Sequence, residues 1–367
     1  MFLFDRMYGQ MLPNLTELEY ILKRMLLAFS TSFLVAAIFA PTAIRYLKKL
    51  KLEQVFRDQT EVHNLATLHS SKAHTPTMGG VIAVMATLMG TFIAVRWNAQ
   101  VVIALCSYLF CVAIGLIDDL AKIRFKNAKG MPGRIKLLIQ LVASGVIIAA
   151  LYHYPKLWEQ YTAMPIPFTG KYFTLSSPIL LTIFLFFIFA GTSNSVNLTD
   201  GLDGLATGCA IPVLLFLTLV SIATENTHTA MFISAVPIPG NGELAIVCAA
   251  ALGALIVFLW YNSYPAAIFM GDTGSLSLGA LIGIIAFLTN HPFHLVIVGG
   301  VFVVEALSDI LQVSSYKFRN KRRIFKMAPI HHHFELLGYH ETKITVRFWI
   351  VSGFLSLIGC VGLCSVF

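Results

Sequence analysis

Met270-Gly-Asp-Thr-Gly-Ser275 places one aspartate, Asp272, between two long apolar stretches, and Ala266-Ala-Ile-Phe269 comes directly before it. A charged side chain at the end of a membrane span is costly unless it faces water, a counter-charge or a metal ion. The segment therefore predicts a membrane protein whose helix ends carry its chemistry.

The composition around this segment is that of a polytopic membrane protein. Of 367 residues, 57% are hydrophobic and only 12% are charged. Runs of about 18 apolar residues can cross a hydrocarbon core of about 30 Å, and helices satisfy their own backbone groups there. We predict one all-α integral-membrane domain over residues 1–367, with about ten spans. The runs are 22–44, 78–96, 100–118, 135–153, 176–194, 205–223, 243–261, 275–290, 293–314 and 345–366.

The distribution of basic residues predicts the orientation. Segments 45–72, 122–136 and 317–347, which follow odd-numbered runs, hold six, six and eight of the 26 Lys and Arg residues. Positive charge marks cytoplasmic loops, so this face is predicted to be cytoplasmic and both termini extracytoplasmic. The formal charge of +8 then reflects topology and not nucleic-acid binding.

Acidic residues gather on the same predicted face, at the ends of runs. They are Asp118, Asp119, Asp200, Asp203 and Asp272. The adjacent carboxylates of Asp118 and Asp119 repel each other unless a cation neutralises them, and Lys122 lies one helical turn after Asp118. The cluster indicates a binding site for a cation or a phosphate, although Asp200 alone also suits a helix cap.

Three further segments have both a functional and a structural interpretation. Thr75-Pro-Thr-Met-Gly-Gly80 opens a run with hydroxyl and backbone N–H groups, which suit phosphate oxygens or an ordinary helix start. Glu305 and Asp309 lie one turn apart within a run, where acids face a cavity or a polar partner. His331, His332 and His333 follow a basic stretch; consecutive positions suit a phosphate better than zinc.

The polar motifs lie at run ends and not near the middle of the bilayer, and no inverted repeat is evident. Secondary transporters usually bind their substrate near the midplane, between repeats. The pattern therefore favours an enzyme, and a transporter for an anionic lipid remains the alternative from another class.

Five motifs, in this order, resemble those of one enzyme family. They are Lys72-x-x-Thr-Pro-Thr-Met-Gly-Gly80, Asp118-Asp-x-x-Lys122, Asn197-x-x-Asp-Gly-Leu-Asp203-Gly-Leu, Phe269-Met-Gly-Asp272-x-Gly and Ala328-Pro-Ile-His-His-His-Phe-Glu335. The set is similar to the MraY family, the phospho-N-acetylmuramoyl-pentapeptide transferases of the polyprenyl-phosphate N-acetylhexosamine 1-phosphate transferase superfamily. Ala73-His74 departs from the family pattern, which usually has glycine before Thr75.

The resemblance implies a reaction and its partners. Phospho-MurNAc-pentapeptide would pass from UDP-MurNAc-pentapeptide to undecaprenyl phosphate, giving lipid I and UMP in the first membrane step of peptidoglycan synthesis. It further implies Mg²⁺ as cofactor, a homodimer, and a bacterial cytoplasmic (inner) membrane with the active site on the cytoplasmic face. A UDP-GlcNAc polyprenyl-phosphate phosphotransferase is the alternative within the superfamily.

The resemblance also implies roles for individual residues. Asp272 would hold Mg²⁺, and Asp118 would deprotonate or orient the acceptor phosphate; the other predicted catalytic residues are Asp119 and His331. The uridine pocket would comprise Lys72, Leu202, Asp203 and Phe269. Asp119 and Lys122 would support the Asp118 site. Phosphate or sugar contacts would come from Lys136, His331, His332 and His333, and further substrate contacts from Thr77, Asn194, Asn197, Asp200, Asn262 and Gln312. Covalent attack by an aspartate and direct attack by the lipid phosphate both fit these residues.

Overall fold

The computed structural model describes residues 13–50, 72, 75–125, 130–153, 155–233 and 235–363, and the predicted all-α architecture is confirmed there. The basic positions within 51–71 and 126–129, and Ala73-His74, lie outside the described residues. The helices are α1 Pro13–Lys49, α2 Gly80–Ala94, α3 Ala99–Phe125, α4 Gly133–Tyr152, α5 Pro155–Gln160, α6 Pro178–Thr199, α7 Leu205–Ala223, α8 Thr227–Phe232, α9 Gly242–Asn262, α10 Gly271–Leu288, α11 Pro292–Val298, α12 Gly300–Phe318, α13 Ile330–Glu335 and α14 Glu341–Leu363.

Eight helices in the described ranges are long and apolar enough to cross a membrane. They correspond to eight of the ten predicted runs and confirm a polytopic membrane protein. The run predicted over 78–96 becomes α2, which has only 15 residues. At 1.5 Å per residue this helix is about 22 Å long, shorter than a hydrocarbon core of about 30 Å.

The run predicted as a span over 293–314 is not one continuous helix. This run is divided into α11 and α12, whose axes are bent by 81°. The bend lies at Gly299-Gly300, where a Cβ on Gly300 would come closer than 3.0 Å to the side chain of Leu355 on α14. Because Gly300 has no side chain, the bend between α11 and α12 can pack directly against Leu355 of α14.

Helix α10 is the centre of the bundle. Every residue from Thr273 to Leu288 is buried, and the helix packs against α3 on one side and α6 on another. A Cβ on Gly279 would come closer than 3.0 Å to the backbone of Thr192 and Ser193. Glycine at this contact thus permits α6 to approach the α10 backbone.

The bundle has two chemically distinct ends. Asn290, just after α10, donates from its amide to the backbone oxygen of Gln160 at 3.1 Å, beside an antiparallel hairpin of β1 Ala163–Pro165 and β2 Tyr172–Thr174. We call this the hairpin end. At the opposite, acidic end, α3 and α6 finish and α10 begins, with Asp118, Asp119, Asp200, Asp203 and Asp272. The predicted gathering of these five aspartates on one face is confirmed.

Gly115 provides a test of the contact between α3 and α10. A Cβ there would come closer than 3.0 Å to backbone atoms of Asp272 and Thr273, so we expect Gly115→Ala to lower the stability by about 1–3 kcal/mol through overpacking. Thermal unfolding in detergent measures the change. Gly191→Ala on α6 is the matched control, since nothing lies within 4 Å of its Cβ position. Equal melting temperatures for the two variants would contradict the close contact.

Candidate functional site

Four charged side chains at the acidic end form a closed ring of ion pairs. Lys122 Nζ lies 2.7 Å from Asp118 Oδ2 and 3.0 Å from Asp272 Oδ1. Lys136 Nζ lies 3.1 Å from Asp118 Oδ1 and 2.9 Å from Asp272 Oδ2. Each lysine thus bridges both carboxylates, and we call this set of four residues the ion-pair ring. It brings α3, α4 and the start of α10 together around one polar centre.

Neighbouring groups fix the two carboxylates of the ring. The backbone N–H of Met131 donates to Asp118 Oδ1 at 2.5 Å. The amide of Asn197, in the last turn of α6, donates to Asp272 Oδ1 at 3.0 Å and to Ser275 Oγ at 2.8 Å. Asn197, predicted as a substrate contact, is therefore joined to the ring through Asp272.

Asp119 contacts the first turn of α10. Its carboxylate accepts hydrogen bonds from the backbone N–H groups of Asp272 at 3.1 Å and Thr273 at 2.9 Å, and from Thr273 Oγ1 at 2.7 Å. A negative charge at a helix N-terminus satisfies free N–H groups and interacts well with the helix dipole. Asp119 thereby holds Asp272 in place, and its predicted catalytic role stays a prediction.

A second buried cluster surrounds Lys72. Its ammonium group lies 2.6 Å from Asp203 Oδ1 and 2.6 Å from Glu341 Oε1. Glu341 also accepts from the Asp203 backbone N–H at 2.7 Å, and Asp203 Oδ2 accepts from the Ala266 N–H at 2.9 Å. The structure thus brings Lys72 and Asp203 together as predicted and adds Glu341, which sequence reasoning missed. Its only signal was an acid at the start of the last apolar run.

Two loops pair beside this cluster, and they use the backbone groups that were expected to be free for phosphate. The N–H of Gly79 donates to Phe269 O at 2.8 Å, and that of Gly80 donates to Met270 O at 2.9 Å. The phosphate interpretation of these two N–H groups is therefore wrong, because the chain needs them to join the loops. Phe269 is half-buried in the pair, and Thr77 is 8% exposed.

The three histidines have three different environments. His331 is fully buried, with Nδ1 3.1 Å from Glu305 Oε2 and Nε2 against Gly201. His332 Nδ1 lies 2.6 Å from Glu335 Oε2, whereas His333 Nδ1 accepts from the Lys326 N–H at 3.1 Å. Of the three, His331 faces the 200–203 loop, so it is the histidine nearest the predicted chemistry. Glu305 here has a structural polar partner.

Three residues predicted as substrate contacts have amides bonded within the fold. The amide of Asn194 donates to Gln140 Oε1 at 3.1 Å, and that of Asn262 donates to Ile268 O at 3.0 Å. Gln312 Oε1 accepts from two backbone N–H groups of the loop after α12. These amides shape helices and loops around the site, and their contacts with substrate stay predictions.

The 200–203 loop connects these groups. Asp203 joins the Lys72 cluster, Leu202 is 3% exposed, and Gly201 lies against His331. Burial raises the pKa of Asp200 well above its usual range, and the nearby carboxylates of Asp272 and Asp119 raise it further. The negative charges of the site are thus concentrated around this loop.

The carboxylates of the ring fit a magnesium ion by their chemistry. Within the described ranges, no three or more His, Cys, Asp or Glu side chains are grouped to hold a metal ion. Mg²⁺, however, commonly takes only one or two protein carboxylates and completes its shell with water and phosphate oxygens. Asp118 and Asp272 provide that number of hard ligands, and each already attracts two ammonium groups.

The chain is similar to known proteins of one family. Residues 101–290 match the family model described as Glycosyl transferase family 4. Proteins named phospho-N-acetylmuramoyl-pentapeptide-transferase are similar over nearly the whole chain. The one from Thermodesulfovibrio yellowstonii is 44% identical, covering 95% of this chain and 94% of its own. The one from Methylacidiphilum infernorum is 41% identical, covering 96% of this chain and 96% of its own. The one from Protochlamydia amoebophila is 38% identical, covering 98% of this chain and 97% of its own.

The raised pKa of Asp200 leads to a pH-dependent prediction. Such a carboxyl favours folding fully below its unfolded pKa of about 4, and this contribution is lost as pH rises through the folded pKa. We therefore expect Asp200→Asn, measured with a chelator present, to melt above the wild type by a margin that is larger at pH about 8.5 than at about 5.

The control for this measurement is Glu159→Gln, which neutralises an exposed carboxylate near the hairpin end. Its melting temperature should follow that of the wild type at both pH values. A margin for Asp200→Asn that is absent or shrinks with rising pH would contradict the raised pKa.

Proposed function

The chain belongs to Glycosyl transferase family 4 and, within it, to the phospho-N-acetylmuramoyl-pentapeptide transferases, and from this we propose that it forms lipid I. The donor is UDP-MurNAc-pentapeptide, the acceptor is undecaprenyl phosphate, and UMP leaves. The observation that carries the proposal is the ion-pair ring beside the buried Lys72–Asp203–Glu341 cluster. Two lysines and two carboxylates at one helix junction suit a reaction between phosphates.

Charge balance explains why such a ring suits this transfer. The acceptor phosphate forms a new P–O bond at the sugar-bound phosphorus of the donor, and the P–O bond to the UMP phosphate breaks. Several negative charges must approach one another, so fixed cations around the reacting centre stabilise the transition state. Lys122 and Lys136 would turn from the carboxylates of the ring toward phosphate oxygens.

Magnesium is part of the proposal. Asp272 would hold the ion, with Asp118 as the second carboxylate, since both are hard oxygen ligands at the same centre. When bound there, Mg²⁺ would supply positive charge that offsets the negative charge of the reacting phosphates. In this arrangement Asn197 and Asp119 keep Asp272 oriented through the hydrogen bonds described above.

The proposed position of uridine is beside the Lys72 cluster. Phe269 lies in the loop pair next to it, with its N–H donating to Pro76 O at 2.9 Å. A half-buried ring at the edge of a polar pocket suits stacking on a nucleobase. Lys72 and Asp203 would then contact the polar edge of the base or the ribose.

The acceptor lipid is proposed to approach from the bilayer along α12. Apolar side chains on this helix are about half exposed, among them Val304, Leu307 and Ile310, whereas Glu305 on its other face is buried against His331. An apolar outer face and a polar inner face suit a lipid whose chain stays in the membrane. Its phosphate would then reach the site from the side.

The proposal includes the cellular setting that the basic loops and the family imply. The acidic end would face the cytoplasm of a bacterial inner membrane, with both termini outside, so that the soluble nucleotide reaches the site. Labelling of single introduced cysteines from each side of the membrane tests this orientation. A homodimer is part of the same proposal, and native mass spectrometry in detergent tests it.

Replacement of Asp272 tests the reaction centre. We expect Asp272→Asn to reduce UMP release by about 100-fold or more, because it removes a charge that holds the reacting centre, and to weaken the dependence on Mg²⁺. The assay combines UDP-MurNAc-pentapeptide, undecaprenyl phosphate and a Mg²⁺ titration. Glu159→Gln is the control, and it should leave turnover unchanged.

The same assay tests the proposed function itself. If the wild type releases UMP from UDP-MurNAc-pentapeptide only when polyprenyl phosphate is present, the transferase function is supported. If it transports an anionic lipid across vesicle membranes without releasing UMP, that function is refuted. Turnover with UDP-GlcNAc but not with UDP-MurNAc-pentapeptide as donor would assign the protein to the alternative specificity. Near wild-type turnover of Asp272→Asn would remove this residue from the metal role.

Replacement of Phe269 tests the uridine pocket. Base–aromatic stacking is worth about 1–3 kcal/mol, so we expect Phe269→Ala to raise the nucleotide KM about tenfold. The KM for undecaprenyl phosphate should change little. Phe269→Tyr keeps the ring and should retain the wild-type nucleotide KM; an unchanged KM in Phe269→Ala would refute stacking.

A further inference from the structure

A buried polar network lies one helical turn below the ion-pair ring, and Gln140 is its centre. Gln140 is 0% exposed. Its Nε2 donates to Ser193 Oγ at 3.2 Å, and its Oε1 accepts from the Asn194 amide at 3.1 Å. Ser193 Oγ in turn donates to Leu276 O at 2.9 Å. Two side chains thus connect α4, α6 and α10 within the apolar part of the bundle.

This network lies one helical turn from Asp272 and from two of the residues that contact it, Lys136 and Asn197. On α4, Gln140 follows Lys136 by four residues, and on α6, Ser193 precedes Asn197 by four. Residues four apart lie on the same face of a helix. The same helix faces that meet through Gln140 therefore also meet at the ring.

The geometry points to a role beyond filling space. We propose that Gln140 is a positioning residue for the transfer reaction, and that its two amide bonds set the depth and rotation of α4 against α6 so that Lys136 and Asn197 both reach Asp272. This inference rests on the proposed function, in which Asp272 is at the reacting centre. Gln140 acts only through these partners and does not contact substrate.

The membrane setting makes such a crosslink effective. Helices in lipid gain little from apolar contacts with one another, so hydrogen bonds and close packing decide how they sit together. A buried amide without partners is unfavourable, so sliding α4 along α6 would leave the Gln140 amide unsatisfied, whereas Ser193 and Asn194 would keep their bonds to Leu276 O and Ala190 O. The relative position of the two helices is therefore narrowly defined next to the site.

The first experiment compares Gln140→Leu with Ser144→Ala. Leucine has a similar size but neither hydrogen bond. Ser144 lies one turn further along α4, is buried, and donates only to Gln140 O of its own helix at 2.9 Å. We expect Gln140→Leu to lower kcat about 10- to 100-fold, since small misplacements of reacting groups have effects of this size, with little change in either KM. Ser144→Ala should stay within about twofold.

A double-mutant cycle separates positioning from general damage. If Gln140 acts through Asn197, adding Gln140→Leu to Asn197→Ala should lower kcat further by less than about threefold. If Gln140→Leu lowers kcat by the same factor in the wild type and in Asn197→Ala, the inference is overturned. An unchanged kcat in Gln140→Leu alone would also overturn it. Gln140→Asn, which keeps the amide on a shorter side chain, is used if the leucine variant does not fold, with the same criteria.

A second readout does not depend on turnover. Acylation of lysines, followed by mass spectrometry, reports how firmly each ammonium group is held. We expect Gln140→Leu to speed the acylation of Lys136 on α4 more than that of Lys122 on α3. An equal increase in rate at the two lysines, or no increase at either, would overturn the inference. If the wild-type protein releases no UMP in the assay, the proposed function is refuted. The acylation rates would then still test the role of Gln140 in positioning Lys136.

Discussion

Two carboxylates and two ammonium groups neutralise one another where three helices meet, and this charge balance is the constraint on which the acidic end depends. Asp118 is fully buried and Asp272 nearly so, with side-chain exposures of 0% and 13%. Removing one partner of a buried pair leaves an uncompensated charge, which commonly costs about 3–5 kcal/mol. Because Lys122 and Lys136 come from different helices, the balance is reached only when α3, α4 and α10 have the correct relative depth. The placement of the three helices and the proposed transfer chemistry therefore depend on the same four side chains.

The general architecture could be predicted from the sequence because hydropathy and charge act locally. Eight of the ten apolar runs match long apolar helices, and the aspartates predicted on one face do lie at one end of the bundle. The family resemblance predicted that Lys72 and Asp203 would lie together, and the count of spans placed Asp118 and Asp272 on one face. These features follow from the bilayer, which needs long apolar segments and keeps charges at their ends.

The details that were missed depend on contacts between distant parts of the chain. The corner at Gly299-Gly300 packs against Leu355, and the N–H groups of Gly79 and Gly80 donate to a loop almost two hundred residues away. From the sequence, Glu341 is only an acid at the start of a helix, and the structure shows that it pairs with Lys72. Gln140 and Ser193 are ordinary polar residues within apolar runs, and only the packing of α4 on α6 shows that they bond to each other. Sequence periodicity contains no information about these pairings.

The almost complete enclosure of α10 has a consequence for how the protein enters the membrane. Of the eight long apolar helices in the described ranges it has the lowest mean hydropathy, 1.5, and the largest buried share, 89%. Its first turns carry Asp272, Ser275 and Ser277, which lipid would not accept as readily as the polar groove between α3 and α6 does. Both of those helices precede it in the chain. We therefore expect α10 to be held in the membrane by packing against α3 and α6, which are synthesised before it, more than by contact with lipid.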